Sequence, residues 1–214
     1  NVGLSEFSNI ETTNKLYKSP FFYEEQMQIH IYKSEVDINS YQYIEEIADQ
    51  ICSLNKNLKK RIMVLCTSYK QVNALGKEIK MKLVDNENIF LQSSGAKKHR
   101  ILENYKQKKD AILIGTSTFW EGIDLAGDLL EILIIFRIPF DNPSDPFNIV
   151  NHNMIKASGG DPFYDYQLPK VMYKIRQGIG RLIRSDRDIG VCIITDPRVA
   201  NSNYGRNIVD DMPV

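Results

Sequence analysis

Residues 61–83, RIMVLCTSYKQVNALGKEIKMKL, change their hydrophobic period within a few positions. RIMVLCT is a short unbroken apolar run, the mark of a strand buried on both faces, and YKQVNALGKEIKMKL is an amphipathic helix. A doubly covered strand followed at once by a helix is the unit from which parallel sheets are assembled. Two hydroxyls, Thr67 and Ser68, sit at the junction. A hydroxyl there caps the helix, and the free N–H groups beside it attract anions; taken alone, the plain cap is the commoner role.

The same unit recurs on both sides of this stretch. Upstream, MQIHIY alternates as a strand, and YQYIEEIADQICSL sets Tyr41, Ile44, Ile47, Ala48, Ile51 and Leu54 at helical spacing. Downstream come NIFLQS as strand, KKHRILENYKQ as helix, and AILIGT and EILIIFRI as strands. A Pro- and Asp-rich loop, FDNPSDP, then precedes a helix from about Phe147 to Lys156, a Gly-Gly break, a further helix, and GVCIITD as the last strand. The pattern predicts an α/β fold, an open parallel sheet with helices on both faces, over residues 28–214, after a leading arm (1–27) that shows no period. In such sheets ligands sit at the carboxyl ends of the strands.

The chain has 214 residues, 43% hydrophobic and 25% charged, enough for one full core. Its 27 basic and 27 acidic residues cancel, so a polyanionic partner must be met by local placement of charge. Cys52, Cys66 and Cys192 are far apart and lie in apolar runs, which suits buried thiols in a reducing compartment better than disulfides. His30, His99 and His152 have no ligand-like spacing, so no metal site is expected. No apolar run approaches the roughly 20 residues that cross a bilayer, and Asn1 opens no signal-like segment. The expectation is a cytoplasmic chain without a membrane partner, cut from a longer protein.

On a helix spanning 168–184, Leu168, Val171, Met172, Ile175, Ile179, Leu182 and Ile183 form a core face. Lys170, Lys174, Gln177, Arg181 and Arg184 then make an opposite stripe of donors with no carboxylate among them. Solvated helix faces usually mix signs. Gly178 and Gly180, costly inside a helix, suit a close approach to the backbone; a basic solvated face with two incidental glycines is the competing reading. After the AILIGT strand, the hydroxyls of Thr116, Ser117 and Thr118 suit phosphate oxygens, and Asp124 suits a sugar hydroxyl. Against this stands a plain connecting loop, with Trp120 in the core. In SSGAKKHR, Lys97, Lys98 and Arg100 occupy the first turn of a helix, against its dipole, which points to a phosphate partner or to a surface charge run.

The ordered set VLCTSY (64–69), GTSTFWEGIDLAGD (115–128), RIPFDNPSDP and QGIGRLIR (177–184) resembles motifs IV, V, the following loop and VI of the second RecA-like domain of superfamily 2 DNA helicases of the XPD/DinG group, with motif V in its DinG form. The resemblance covers nearly the whole chain from Ser19 and implies a RecA-like, P-loop-NTPase-like second motor domain. It implies that Gln177, Arg181 and Arg184 face an ATP bound to the first RecA-like domain, with Arg184 the better candidate for an arginine finger. Glu121, Gly122 and Asp124 would line the nucleotide side of the cleft. Thr67, Ser68, Thr116 and Ser117 would touch a single-stranded DNA backbone, with Lys97 and Lys98 as further phosphate contacts.

No G-x-x-x-x-G-K-[ST] and no acidic Mg²⁺-binding box occurs here, so ATP with Mg²⁺ would be held mainly by the N-terminal RecA-like domain, and the chain alone should not hydrolyse ATP. The cysteines that hold an iron–sulfur cluster in many family members belong to that other half, which leaves the cluster open. The implied function is the C-terminal motor domain of an ATP-dependent DNA helicase. The alternative is a helicase-like regulatory and DNA-binding module of a DinG-type 3'-5' exonuclease.

Overall fold

The computed structural model describes residues 21–83, 87–92, 97–116, 125 and 127–213. Among these residues the strands are β1 (Met27–Ile31), β2 (Ile62–Cys66), β3 (Ile89–Leu91), β4 (Ile112–Thr116), β5 (Ile132–Ile135) and β6 (Gly190–Ile194). They form one sheet in the order β1-β6-β5-β2-β4-β3. Every pairing is parallel. The principal helices are α1 (Tyr41–Leu58), α2 (Tyr69–Lys82), α3 (Lys98–Lys106), α4 (Pro146–Ala157) and α5 (Leu168–Ile179).

The central strands β2, β4 and β5 are buried at every position, as unbroken apolar runs require when both faces are covered. Alternate residues feed two cores. Ile62, Val64, Ile114 and Ile134 point to the face covered by Tyr43, Ile47 and Ile51 of α1 and Val72, Leu75 and Ile79 of α2. Met63, Leu65, Leu113, Leu133 and Cys192 point to the face covered by Tyr105 of α3 and by Leu168, Val171, Ile175 and Ile179 of α5. The three cysteines are buried free thiols, and burial pushes the Cys192 thiol up to about 12.

The sheet begins at Met27, the last residue of the expected arm, directly after a helical turn over Tyr23–Gln26. The other predicted strands and helices lie near where the periods placed them, but β3 ends at Leu91 and β5 at Ile135, short of the ends of NIFLQS and EILIIFRI. The helix expected over 168–184 stops at Ile179. Gly180 takes ordinary right-handed angles at the C-cap, and the N–H groups of Arg181 and Leu182 turn back to the carbonyls of Gly178 and Ile179 at 3.0 and 2.9 Å. Two glycines weaken the helix here, and a competing set of hydrogen bonds, described below, captures the chain beyond it.

The amino edge of the sheet is held by Arg61, which is 6% exposed and precedes β2. Its Nε donates to the Lys108 carbonyl at 2.8 Å, Nη1 to the Asp128 carbonyl at 2.8 Å, and Nη2 to the Lys106 carbonyl at 3.1 Å. One planar fork thus ties the end of α3 and the turn before β5 to the start of β2. Its removal strands several inward-facing carbonyls. Arg61→Ala is therefore expected to lower stability by roughly 2–3 kcal/mol, and Arg61→Lys to recover little of it, because an ammonium lacks the fork. Urea unfolding of the three proteins checks this; an unchanged midpoint in the alanine variant contradicts it.

Candidate functional site

Because every strand is parallel, the residues that follow strands gather at one edge of the sheet. Cys66 pairs with Thr116 in register, so Thr67 and Thr116 stand at neighbouring strand ends. Ser68 is the N-cap of α2, and its hydroxyl accepts the Gln71 N–H at 3.3 Å. Thr67 is exposed. Its N–H and its hydroxyl both donate to Gln71 Oε1, at 2.9 and 3.0 Å. This is a variant of the capping box, with the glutamine reaching back one residue beyond the cap.

Thr116 differs from Thr67. It is 6% exposed, and its N–H and hydroxyl both donate to Gln92 Oε1, at 2.6 and 2.9 Å. Gln92 follows β3, and its amide donates onward to Tyr69 Oη at 3.0 Å. The Thr116 hydroxyl is thus engaged within the protein, and Gln92 links the ends of β3 and β4 to the first turn of α2. Gln92 was not singled out from the sequence, where it falls inside the strand read as NIFLQS; its place just past β3 appears in the fold.

Lys97 is the N-cap of α3 and exposed, its own side chain makes no capping hydrogen bond, and Lys98 is the first residue of the helix. Two cations therefore do sit against the helix dipole. Both follow β3 and share the carboxyl edge with Thr67. Ser117, Glu121, Gly122 and Asp124, together with Thr118 and Trp120, lie outside the described residues.

The arginines lie elsewhere. Helix α5 runs antiparallel to the strands, so its C-terminal end and the turn after it come to the amino edge. Leu182 packs so closely over Gly190, the first residue of β6, that a Cβ there would sit 2.4 Å from Leu182 Cγ. The turn is organised by Asp188. Its Oδ2 accepts the N–H groups of Arg184 and Ser185 at 2.7 and 2.9 Å, and its Oδ1 accepts the Ser185 hydroxyl at 2.9 Å. Gln26 closes the arrangement by donating its amide to the Ser185 and Asp188 carbonyls at 2.8 and 3.0 Å. Burial pushes the Asp188 carboxyl up, but these hydrogen bonds and the Arg184 charge outweigh it and hold the group below the usual carboxylate range. Arg181 and Arg184, both half-buried, thus stand on a fixed turn, while Gln177 is exposed on the last turn of α5.

The expected stripe of unopposed donors is corrected accordingly. Lys170 and Lys174 both pair with Asp141, from the FDNPSDP loop, and Lys174 also reaches the Pro139 carbonyl at 3.4 Å. Burial raises the Asp141 carboxyl, yet the two lysines hold it below its usual range. A carboxylate distant in sequence turns the first half of the stripe into a structural ion pair. Asp141 reaches no further along the helix than Lys174.

The sheet order and the covering of both faces by helices are those of a RecA-like fold. Residues 50–214 match the helicase C-terminal domain family, and the chain belongs to that family. It is 34% identical over 201 residues to the ATP-dependent DNA helicase YoaA of Haemophilus influenzae, covering 94% of this chain and 31% of the relative. It is 34% identical over 217 residues to the 3'-5' exonuclease DinG of Bacillus subtilis, covering 99% of this chain and 23% of the relative. The chain therefore spans less than a third of the length of these curated relatives. In fold it is similar to a solved XPD helicase, with a TM-score of 0.65 and 18% identity over 86% of this chain and 34% of that one.

The Asp188 turn makes an acid-dependent prediction. A depressed carboxyl contributes stability that is full above its ordinary value near 3.8 and is lost as pH falls through its lower folded value. Asp188→Asn should remove that contribution. The variant's unfolding midpoint, followed from about pH 5 to about pH 2.5, is expected to fall less steeply than that of the wild type. Parallel slopes would show that Asp188 does not set the acid response.

Proposed function

We propose that this chain is the C-terminal motor domain of an ATP-dependent DNA helicase of the DinG type, working against an N-terminal RecA-like domain on single-stranded DNA. The observation that carries the reading is the division of donors between two edges. Thr67, Ser68, Lys97 and Lys98 occupy the carboxyl edge, and Arg181 and Arg184 the turn at the amino edge. Strands of five residues separate such edges by about 15 Å. One domain thereby offers two surfaces suited to phosphate, which a motor needs if nucleotide and nucleic acid are to be held at once.

In this reading ATP with Mg²⁺ would be held mainly by the first domain and would supply the phosphoryl group for transfer to water. The donors of this chain fit the phosphate side of such a site. Guanidinium forks match phosphate oxygens. Arg184 would place its fork on the charge that develops during transfer, and Arg181 and Gln177 would orient the bound phosphates. Asp188, by fixing the Arg184 and Ser185 amides, would hold that fork in place before the cleft shuts. Glu121, Gly122, Asp124 and Ser117 keep the roles implied by motif V. At the carboxyl edge Thr67 and Ser68 would meet the DNA backbone, with Thr116 supporting them from beneath through Gln92.

A second reading has specific support, because the chain aligns over 99% of its length with the Bacillus subtilis exonuclease. There the same two surfaces would gate DNA access to a nuclease without unwinding. An acidic exonuclease motif set elsewhere in the same polypeptide separates the two readings.

The test is single-turnover ATP hydrolysis by the protein that joins this domain to a first RecA-like domain. Arg184→Ala should slow hydrolysis by about 10³-fold or more while changing ATP affinity little, and Arg184→Lys should not rescue it. Hydrolysis near the wild-type rate in the alanine variant would refute the finger assignment. Lost hydrolysis accompanied by lost folding would make Arg184 a structural residue of the Asp188 turn.

A further inference from the structure

The carboxyl edge carries a cation, the first residue of the RIPFDNPSDP loop, to which the motif reading gave no role of its own. Arg137 lies two residues beyond β5, in the middle of the strand order. The ladder continues past the strand: the Phe136 N–H donates to the Leu65 carbonyl at 2.9 Å, and the Thr195 N–H to the Ile135 carbonyl at 3.0 Å. Arg137 therefore stands between the end of β2, where Thr67 begins the next segment, and the end of β6.

Its partners set it apart from the other cations of the loops and helices around it. Arg198 grips both oxygens of the buried Asp196, and Lys170 and Lys174 share Asp141. Arg137 instead rests on neutral oxygens. Its Nη2 donates to the Ile38 carbonyl, and its Nη1 donates to Asn39 Oδ1 at 3.2 Å. Its Nε is covered and has no hydrogen-bond partner among the described residues. A guanidinium is normally matched to a carboxylate or phosphate, whose paired oxygens accept two parallel N–H bonds. Amide oxygens cannot neutralise it, so its positive charge remains available to a polyanion at the edge where Thr67 and the α2 N-terminus lie.

We propose that Arg137 is a phosphodiester ligand of the carboxyl edge, its fork leaving Asn39 to take a backbone phosphate of a single-stranded nucleic acid next to the Thr67 contact. Asn39 then acts as the resting partner that keeps the guanidinium ordered when the edge is empty. The proposal rests on the reading of this edge as strand-facing, and the experiment separates the two.

Fluorescence anisotropy with a labelled oligothymidylate, titrated at several salt concentrations, is performed on the wild-type chain, Arg137→Gln, Arg137→Lys, Asn39→Ala and the double variant Lys97→Ala/Lys98→Ala, with thermal unfolding in parallel. Arg137→Gln is expected to weaken binding about tenfold at low salt and to reduce the log–log salt slope by about 0.7, the value for one phosphate contact on a single strand. Arg137→Lys should keep the slope while losing part of the affinity, because it keeps the charge and loses the fork. Asn39→Ala, which removes the competing acceptor, should tighten binding about twofold or more. An unchanged slope in a folded Arg137→Gln, alongside a flattened slope in the Lys97/Lys98 variant, overturns the proposal and leaves the edge reading standing. Wild-type binding with no salt dependence overturns both. If Arg137→Gln does not fold, Asn39→Ala decides, and equal or weaker binding overturns the proposal.

Discussion

A parallel sheet sends every strand in the same direction, so each connection must carry the chain from the carboxyl edge back to the amino edge across one face. The rest of this molecule follows from that constraint. The principal described returns are helices because a covered return must satisfy its own backbone hydrogen bonds, and they divide between the faces, α1 and α2 on one, α3 and α5 on the other, because both faces of an apolar strand need cover. Strand-to-helix junctions such as Thr67–Ser68 then fall together at one edge. Helix-to-strand junctions such as the Asp188 turn fall at the other. The separation of hydroxyls from arginines is thus a product of topology before it is a feature of function.

Polar side chains hold each edge in register. At the amino edge Arg61 gathers carbonyls from two segments, and Asp188 with Gln26 fastens the arginine turn to the start of β1. At the carboxyl edge Gln92 ties Thr116 to Tyr69, and the buried Tyr43 hydroxyl donates to the Thr195 carbonyl at 2.8 Å. Such groups are costly to leave unmatched and modest in net worth when matched. They contribute more to the placement of the loops than to total stability, which comes from the two apolar cores. Any surface that must meet phosphate with a defined spacing depends on that placement.

The core was legible from residue pattern because burial on both faces leaves a run of apolar side chains that few other structures produce. Leu168, Val171, Ile175 and Ile179 point inward as their spacing required. The end of α5 was not legible, because periodicity continues through Leu182 and Ile183 while the backbone has already left the helix. What ended it was Asp188, whose role depends on a turn that a 3.6-residue period does not describe; Ser185-x-x-Asp188 directly after the arginines was the usable sign. The pairing of Lys170 and Lys174 with Asp141 was hidden for another reason, since its partners are about 30 residues apart and only the fold brings them together. Gln92 and Arg137 were hidden in a similar way: the apolar runs NIFLQS and EILIIFRI carried both into strands, and their places just past the ends of β3 and β5 appear only in the fold.

The central claim is that nucleic acid meets the carboxyl edge and does not share the arginine turn. Photocrosslinking of the chain to a thymidine oligonucleotide carrying photoreactive bases, followed by mapping of the modified peptides, tests it most directly. The account predicts adducts concentrated in residues 67–71, 97–100 and around 137, with residues 181–189 unmodified. Adducts concentrated in 181–189, with the carboxyl edge unmodified, would contradict it.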